Sequence, residues 1–174
     1  MHGFFIVETI MDGLVTKLAK DLRSVFEENF DYFDESGVPF FGMFPENCCQ
    51  GASVFLGMLL SHFFTRDIIK IVHGSTRNRL YHHFWVEVDS KIYDLTLDQF
   101  YKNMGDKYTG IEFPAYGEDK HPLRQYFFYK EKMSAVLAFS IFVQKHANLE
   151  EILPAYQFIC RELEVMGWKI PSPE

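Results

Sequence analysis

The N-terminal part of the chain carries a regular pattern of apolar side chains. They recur at every fourth position, at Ile10, Leu14, Leu18, Leu22 and Phe26. Charged residues such as Lys17 and Glu27 occupy the other faces, which is typical of an amphipathic helix over residues 7–30. Near the other end, Asn148 precedes Glu150 and Glu151, which predicts the N-cap and the acidic first turn of a last helix ending near Met166.

Residues 48–64 are apolar or small on nearly every side. A helix that is apolar all round is normally buried, so this segment predicts a central helix. The preceding residues, 31–47, combine glycine and proline with many aromatic side chains, and we expect a loop there. The aromatic rings of this loop either line the approach to the central helix or fill space in the core. They are the rings of Tyr32, Phe33, Phe40, Phe41 and Phe44.

Three segments rich in β-branched and aromatic residues predict strands of an antiparallel sheet. Residues 68–72 form the first, which Gly74 is expected to end. Residues 81–88 and 91–96 form a hairpin, because only Asp89-Ser90 separates them.

The length of this turn decides which side chains share a face of the hairpin. A two-residue turn pairs Val88 with Lys91, and side chains alternate between the two faces with a period of two. His83 and Asp94 then become diagonal neighbours on one face, whereas His82 points to the other. The complete set predicted for the first face is His83, Trp85, Asp94 and Thr96.

The segments after the hairpin are less regular. Residues 97–104 predict a short helix, and residues 105–124 predict the longest loop, of a length typical of lids or of surface excursions. Residues 126–129 are consistent either with another strand or with the start of a helix that runs to about residue 147.

Composition limits the classes of protein to which the chain can belong. Its 174 residues predict a single domain, 1–174, and its net charge of −7 with scattered basic residues argues against nucleic acid or an anionic membrane as partner. Three cysteines, two of them adjacent, make a poor disulfide framework. No signal peptide or transmembrane segment is evident, so we expect a cytoplasmic protein, with export by a signal-independent route left open.

Cys48 and Cys49 lie where the predicted central helix begins. The helix dipole and the unpaired N–H groups of a first turn favour a thiolate and an adjacent oxyanion. In the predicted register the Asp94 carboxylate can hold one imidazole nitrogen of His83 and leave the other for a thiol. Cys160, on the last predicted helix, is expected to be only a small buried apolar residue.

These residues resemble the transglutaminase-like branch of the papain-like cysteine enzymes. The resemblance covers residues 47–100 and consists of a cysteine opening an apolar helix, then His-x-Trp-Val-Glu-Val, then Tyr-Asp-Leu-Thr. It implies an α+β fold with a transglutaminase-like/papain-like core, in which a central helix packs on an antiparallel sheet with flanking N- and C-terminal helices. It also implies a catalytic triad made of Cys49, His83 and Asp94.

The family's pattern prefers Cys49 over Cys48 as nucleophile. It has a small residue four positions after the cysteine and then paired apolar residues, which Cys49 matches with Ser53 and the pairs that follow it. Cys48 matches less completely and remains the alternative nucleophile. A glutamine six positions before the cysteine, as in papain-like enzymes, is replaced by Met43, so the oxyanion donors beyond the Cys49 N–H stay open. Candidate oxyanion or substrate-lining residues are Asn47, Gln50 and Trp85.

A metal centre built from the two adjacent cysteines and the two adjacent histidines, His82 and His83, is the rival interpretation. Adjacent residues seldom both reach one tetrahedral ion, so we expect no metal and no other cofactor. The other histidines follow no partner pattern and are predicted to be surface or ordinary packing residues; they are His62, His73, His121 and His146.

The resemblance implies thiol-dependent acyl transfer through a thioester on a peptide or on a glutamine-like amide. With water as acceptor the chain is a cysteine peptidase or a deamidase, and with an amine, which we favour less, it is a transglutaminase. A catalytically inactive module that binds peptide or protein on the same fold is the alternative. The sequence defines neither the substrate nor the oligomeric state.

Overall fold

The structure is a computed structural model that describes residues 2–101, 111 and 113–170. Its described part is α+β and contains five α-helices and one five-stranded antiparallel sheet. The helices are α1 (His2–Glu28), α2 (Phe30–Glu35), α3 (Cys49–Leu60), α4 (Ala135–Lys145) and α5 (Leu149–Val165). The strands are β1 (Ile69–Ser75), β2 (His82–Val88), β3 (Lys91–Asp94), β4 (Ala115–Glu118) and β5 (Tyr129–Met133).

Helix α1 confirms the predicted amphipathic helix, with one described residue of the predicted stripe misplaced. Leu18, Leu22 and Phe26 are buried as predicted, whereas Leu14 is exposed and Val15 is buried in its place. A straight helix repeats every 3.6 residues, so a series spaced by four drifts off the buried face within a few turns. Among the described residues, no helix is long and apolar enough to cross a membrane.

Helix α3 lies at the centre of the structure, and ten of its twelve residues are buried. It ends at Leu60, so the prediction of a helix to residue 64 was wrong at its last turn. Gly57 lets the helix approach its neighbours closely, because a Cβ atom there would lie 2.7 Å from Ile71 Cδ1 on β1 and 3.2 Å from Ala135 Cβ on α4.

The segment before α3 is partly helical rather than the predicted loop. Helix α2 and a 3₁₀ turn at Phe41–Met43 occupy much of residues 31–47. Phe33 and Phe41 are fully buried against each other and against Phe26, so these rings fill the core.

The strands follow the order β4-β3-β2-β1-β5, and every neighbouring pair is antiparallel. Strand β1 continues through Gly74 to Ser75, so the expectation that this glycine ends the strand was wrong. Gly74 is needed for packing instead, because a Cβ atom there would lie 2.6 Å from the ring of Trp85.

Strand β4 lies within residues 105–124, which were predicted to be a loop. Residues 102–110 and 112 lie outside the described residues. They include much of the predicted loop and the end of the helix predicted for 97–104. The described part of that helix is a 3₁₀ turn at Leu97–Phe100.

The C-terminal part differs partly from the prediction. Residues 126–129 are neither a full strand nor a helix start, because β5 begins only at Tyr129 and α4 follows at Ala135. Helix α5 confirms its predicted cap, since the Asn148 side chain accepts a hydrogen bond from the Glu150 N–H at 3.1 Å.

Each face of the sheet has its own apolar cluster. The first cluster joins α1, α3, α4 and α5 to side chains of the sheet such as Ile71 and Val86, which are paired in β1 and β2. The second cluster contains Trp85, Leu97, Phe100 and Phe127. His83 shares the face of Trp85, since side chains alternate along β2.

The predicted hairpin register is confirmed. Val88 pairs with Lys91 and Val86 with Tyr93, and only Asp89-Ser90 connects the strands. Both turn residues have positive φ, at 46° and 71°, which is the geometry of a type I′ turn. Such turns match the twist of the flanking strands, so this turn fixes which residues of β2 and β3 face each other.

Ser90→Gly tests how far the turn stabilises this register. Glycine adopts positive φ without strain, although it loses more backbone freedom on folding. The relief of strain is the larger effect, so the free energy of unfolding should rise by roughly 0.5–1 kcal/mol in urea titrations. Ser90→Ala keeps the strained conformation and serves as the control. A Ser90→Gly variant less stable than Ser90→Ala would contradict the type I′ turn.

Candidate active site

A buried histidine and a buried aspartate meet on one face of the hairpin. The His83 Nε2 and Asp94 Oδ2 atoms are 2.6 Å apart, and the two side chains are fully enclosed. His83 comes from the second residue of β2 and Asp94 from the last residue of β3. The two-residue turn therefore brings together these side chains, as the sequence predicts.

The Asp94 carboxylate is surrounded by hydrogen-bond donors. Its Oδ1 accepts bonds from the Thr96 N–H at 3.1 Å and from the Thr96 hydroxyl at 3.5 Å. Its Oδ2 accepts from His83 and also from Nε2 of His121, at 3.0 Å. A buried carboxylate with this many donors is stabilised in its charged form.

His121 is buried and hydrogen-bonded to Asp94, so it is more than the surface or ordinary packing residue that was predicted. The Leu123 N–H donates to its Nδ1 at 3.1 Å, which leaves the ring proton on Nε2, facing Asp94. Its ring also packs against Trp85, with 4.2 Å between the ring centroids. Burial lowers the pKa of His121, which keeps the ring neutral.

His83, Asp94 and His121 place three potential metal-ligand atoms within 4.8 Å of one another. A metal ligand needs a free lone pair, and a metal-bound histidine normally donates a hydrogen bond from its other nitrogen. His121 has the reverse arrangement, because its Nδ1 accepts from the Leu123 N–H and its Nε2 carries the proton. The cluster is therefore better suited to a shared hydrogen-bond network than to a metal.

The environment separates the pKa values of His83 and Asp94. Burial disfavours the charged form of both side chains, but their mutual attraction and hydrogen bond outweigh it. The pKa of Asp94 is held well below its ordinary value, with His121 adding to the effect. Burial alone would lower the pKa of His83. Asp94, and to a smaller extent Cys49, outweigh this effect and raise the pKa to about 10. His83 is thus a stronger base than an ordinary histidine.

Cys49 is the first residue of α3 and retains 8% of its surface exposed. Cys49 lies close enough to His83 to contribute to its raised pKa, after the larger effect of Asp94. The structure therefore brings together the three residues predicted as a triad. Whether they act as one stays a prediction.

Cys48 has a different environment from its neighbour. It is 1% exposed, and its thiol donates to the carbonyl oxygen of Pro45 at 3.1 Å. Burial, followed by the neighbouring Cys49, raises the pKa of Cys48 far above its ordinary value. A protonated thiol that holds the preceding loop is a structural group, so the surroundings of Cys48 do not suit a nucleophile.

Gln99 lies between His83 and the start of α3, and sequence reasoning did not identify it. Its Nε2 donates to the Thr96 carbonyl at 2.9 Å and to His83 Nδ1 at 3.1 Å, while its Oε1 accepts from the Asn47 N–H at 3.4 Å. The Thr96 carbonyl and the Asn47 N–H orient the amide, so in this geometry Nδ1 of a neutral His83 accepts and the ring proton is on Nε2. The raised pKa of His83 favours a second proton on Nδ1, and the Gln99 amide must leave Nδ1 when that proton is taken up. Nδ1 is therefore the basic nitrogen of the site.

The three predicted lining residues have different surroundings. Asn47 is exposed with a φ of 64°, and Gln50 is half-buried in the first turn of α3. Trp85 is fully buried and packs beside the rings of His83 and His121, so in this structure it presents no surface to a substrate.

His82 lies outside the site, as the register predicts. It is exposed and contacts His73, with Nδ1 and Nε2 of the two rings 2.9 Å apart. Two neighbouring aspartates have other roles, since Asp89 forms the hairpin turn and Asp98 pairs with Arg23.

Arg23 connects the site to α1. Its guanidinium donates to both carboxylate oxygens of Asp98, at 2.9 and 2.7 Å, and to the carbonyl oxygen of Leu95. Although burial opposes the charge, the ion pairs with Asp98 and Glu27 hold the pKa of Arg23 above its ordinary value. Arg23 therefore fixes the segment between Asp94 and Gln99 on the long N-terminal helix.

An open pocket with a volume of about 430 Å³ adjoins this segment. One wall comes from the residues that precede Cys48, and the other from the residues around Gln99. The lining residues are Met43, Phe44, Pro45, Glu46, Asp98, Gln99 and Tyr101.

Asp94→Asn should remove a pH-dependent part of the stability. The pKa of Asp94 is lowered, so its charge stabilises the fold above the ordinary value of 3.8, and this contribution is lost as the pH falls below that value. At about pH 6 the variant should lose roughly 3 kcal/mol of unfolding free energy, as expected for a broken buried pair. The difference from wild type, measured by urea titration, should shrink by about pH 2.5. A difference that stays constant with pH would contradict a charged Asp94.

No protein-family model, curated protein or solved structure matches this chain. The chemistry of the site is therefore defined by its own residues and their geometry.

Proposed function

We propose that the chain is a thiol-dependent acyl-transfer enzyme in which Cys49 is the nucleophile, His83 the base and Asp94 the orienting acid. The observation that carries the proposal is the enclosed His83–Asp94 pair, which leaves Nδ1 outside the contact with the carboxylate and has Cys49, at the start of a buried helix, among the groups that raise the pKa of His83. A base whose other nitrogen is held by a carboxylate is the arrangement that activates a nucleophile in cysteine and serine enzymes.

The first half of the reaction forms a thioester. His83 Nδ1 takes the proton of the Cys49 thiol, and the sulfur attacks the carbonyl carbon of a peptide or side-chain amide. The N–H groups at the start of α3 are placed to stabilise the oxyanion, with Asn47 and Gln50 beside them. The C–N bond then breaks, and His83 returns the proton to the leaving amine or ammonia.

The second half regenerates the enzyme. His83 accepts a proton from water, the resulting hydroxide equivalent attacks the thioester, and the C–S bond breaks to give a carboxylic acid and the free thiol. This makes the chain a peptidase or deamidase. An amine in place of water would make it a transglutaminase.

We infer that His121 belongs to this arrangement as a positioning residue. It donates to Asp94 from a ring that the Leu123 N–H and Trp85 hold in place. Asp94 is thereby restrained in the orientation that His83 requires.

A transglutaminase-like fold is consistent with this proposal. The chain order of Cys49, His83 and Asp94, a buried helix that begins at the cysteine, and an antiparallel sheet that supplies the other two residues all support it. The three free, buried cysteines fit a reducing compartment such as the cytoplasm.

A second candidate is an inactive module that binds peptide or protein on the same fold. The contact of Gln99 with His83 favours it, because the amide occupies the Nδ1 lone pair that must accept the thiol proton. In an active enzyme, this hydrogen bond has to give way when the thiol is deprotonated.

Alkylation by iodoacetamide at about pH 6 separates the two candidates. An ion pair with His83 predicts rapid, selective labelling of Cys49, located by peptide mass spectrometry, and His83→Gln should slow it. Cys48 and Cys160 serve as internal controls, because burial raises the pKa of both thiols, that of Cys160 to about 11. Slow labelling of all three cysteines would contradict an activated thiol.

Mass spectrometry of incubated peptides identifies the reaction. Wild-type protein should cleave a peptide, or change the mass of a glutamine-containing peptide. Deamidation adds about 1 Da, and transfer to an added primary amine adds the mass of that amine less about 17 Da for the ammonia released. Cys49→Ala should abolish the change, whereas Cys48→Ser should retain it. Activity that survives in Cys49→Ala would exclude the proposed nucleophile.

A further inference from the structure

The pocket beside Gln99 borders the proposed reaction centre on two sides. Pro45, in one wall, accepts the hydrogen bond of the Cys48 thiol, directly before the nucleophile. Gln99, in the other wall, contacts both His83 Nδ1 and the Asn47 N–H. A group seated in the pocket would therefore touch the residues that directly adjoin the proposed nucleophile and base.

The walls of this pocket are mostly apolar. Phe44 and Pro45 are half-buried, and Met43 and Tyr101 stand at the rim with 64% and 66% of their surface exposed. Thioether, aromatic and proline surfaces favour contact with another apolar group over contact with water. The volume lies within the range of ordinary ligand sites.

The charges at the pocket further restrict its occupant. Asp98 lines it but is held by two hydrogen bonds from Arg23, so its charge is balanced from behind. Glu46 is the second acidic residue of the pocket lining. A carboxylate in the occupant would approach both acidic residues and be disfavoured.

We propose that this pocket binds a large apolar side chain, aromatic or aliphatic and without a negative charge, close to the carbonyl that Cys49 attacks. The proposal rests on the proposed function and names its substrate class: a polypeptide with such a residue at or beside the reacting amide. Burying that side chain would hold the carbonyl beside the thiol, which is how binding away from the reacting atoms accelerates a reaction.

Two electrophiles of different shape test the pocket. The rate constant for alkylation of Cys49 is measured with iodoacetamide and with N-(2-phenylethyl)iodoacetamide, which adds an aromatic ring. The ratio of the two rates should favour the aromatic reagent by on the order of tenfold. A reagent whose ring carries a carboxylate should lose this advantage.

Two variants of exposed residues provide the matched comparison. Met43→Asp places a charge at the rim and should reduce the ratio to near one, whereas Val165→Asp, at an 86% exposed position of α5, should leave it unchanged. Circular dichroism checks that both variants are folded. The proposed pocket is overturned if wild-type protein shows a ratio of alkylation rates near one. It is also overturned if the ratio stays high in Met43→Asp.

The outcome is distinguishable from failure of the proposed function. Slow reaction of Cys49 with iodoacetamide contradicts the activated thiol, but the ratio of the two reagents is independent of that absolute rate. A high ratio on a slow thiol would show an apolar pocket beside an inactive cysteine, which overturns only the catalytic role. A ratio near one on a fast thiol overturns only the pocket.

Discussion

The rest of the structure depends on one buried carboxylate. Asp94 lies away from water, and a charge in that position is tolerated only if donors replace its hydration. His83, His121 and Thr96 supply those donors, and they come from β2, from the segment before β5 and from the chain just beyond β3. Satisfying Asp94 therefore fixes three separate parts of the chain and gives His83 its orientation and its raised pKa.

This constraint also connects the proposed base to the proposed nucleophile. The segment that follows Asp94 carries Gln99, whose amide reaches both Nδ1 of His83 and the backbone before Cys49. Arg23 on α1 holds the same segment from behind through Asp98 and Leu95. The thiol, the base and one wall of the pocket are consequently positioned by a single short stretch of chain.

Local rules predict the hairpin well and the long-range contacts poorly. A two-residue turn and a period of two were enough to place His83 beside Asp94. His121 is 27 positions from Asp94, and its contact depends on how strands and connecting segments pack, which no local pattern encodes. The stripe on α1 was misplaced at Leu14 because helical periodicity is not an integer, and Gly74 was misjudged because its role is to make room for Trp85.

The titration of His83, followed by ¹⁵N NMR of its ring nitrogens, tests most directly whether Asp94 creates a base for Cys49. With Nε2 bound to Asp94, wild-type His83 should titrate well above the ordinary value of 6.5, toward about 10, with Nδ1 as the nitrogen that changes. Asp94→Asn should bring the pKa down markedly, because the charge that raises it is removed. A His83 pKa at or below 6.5 in wild type that Asp94→Asn does not move would contradict the account.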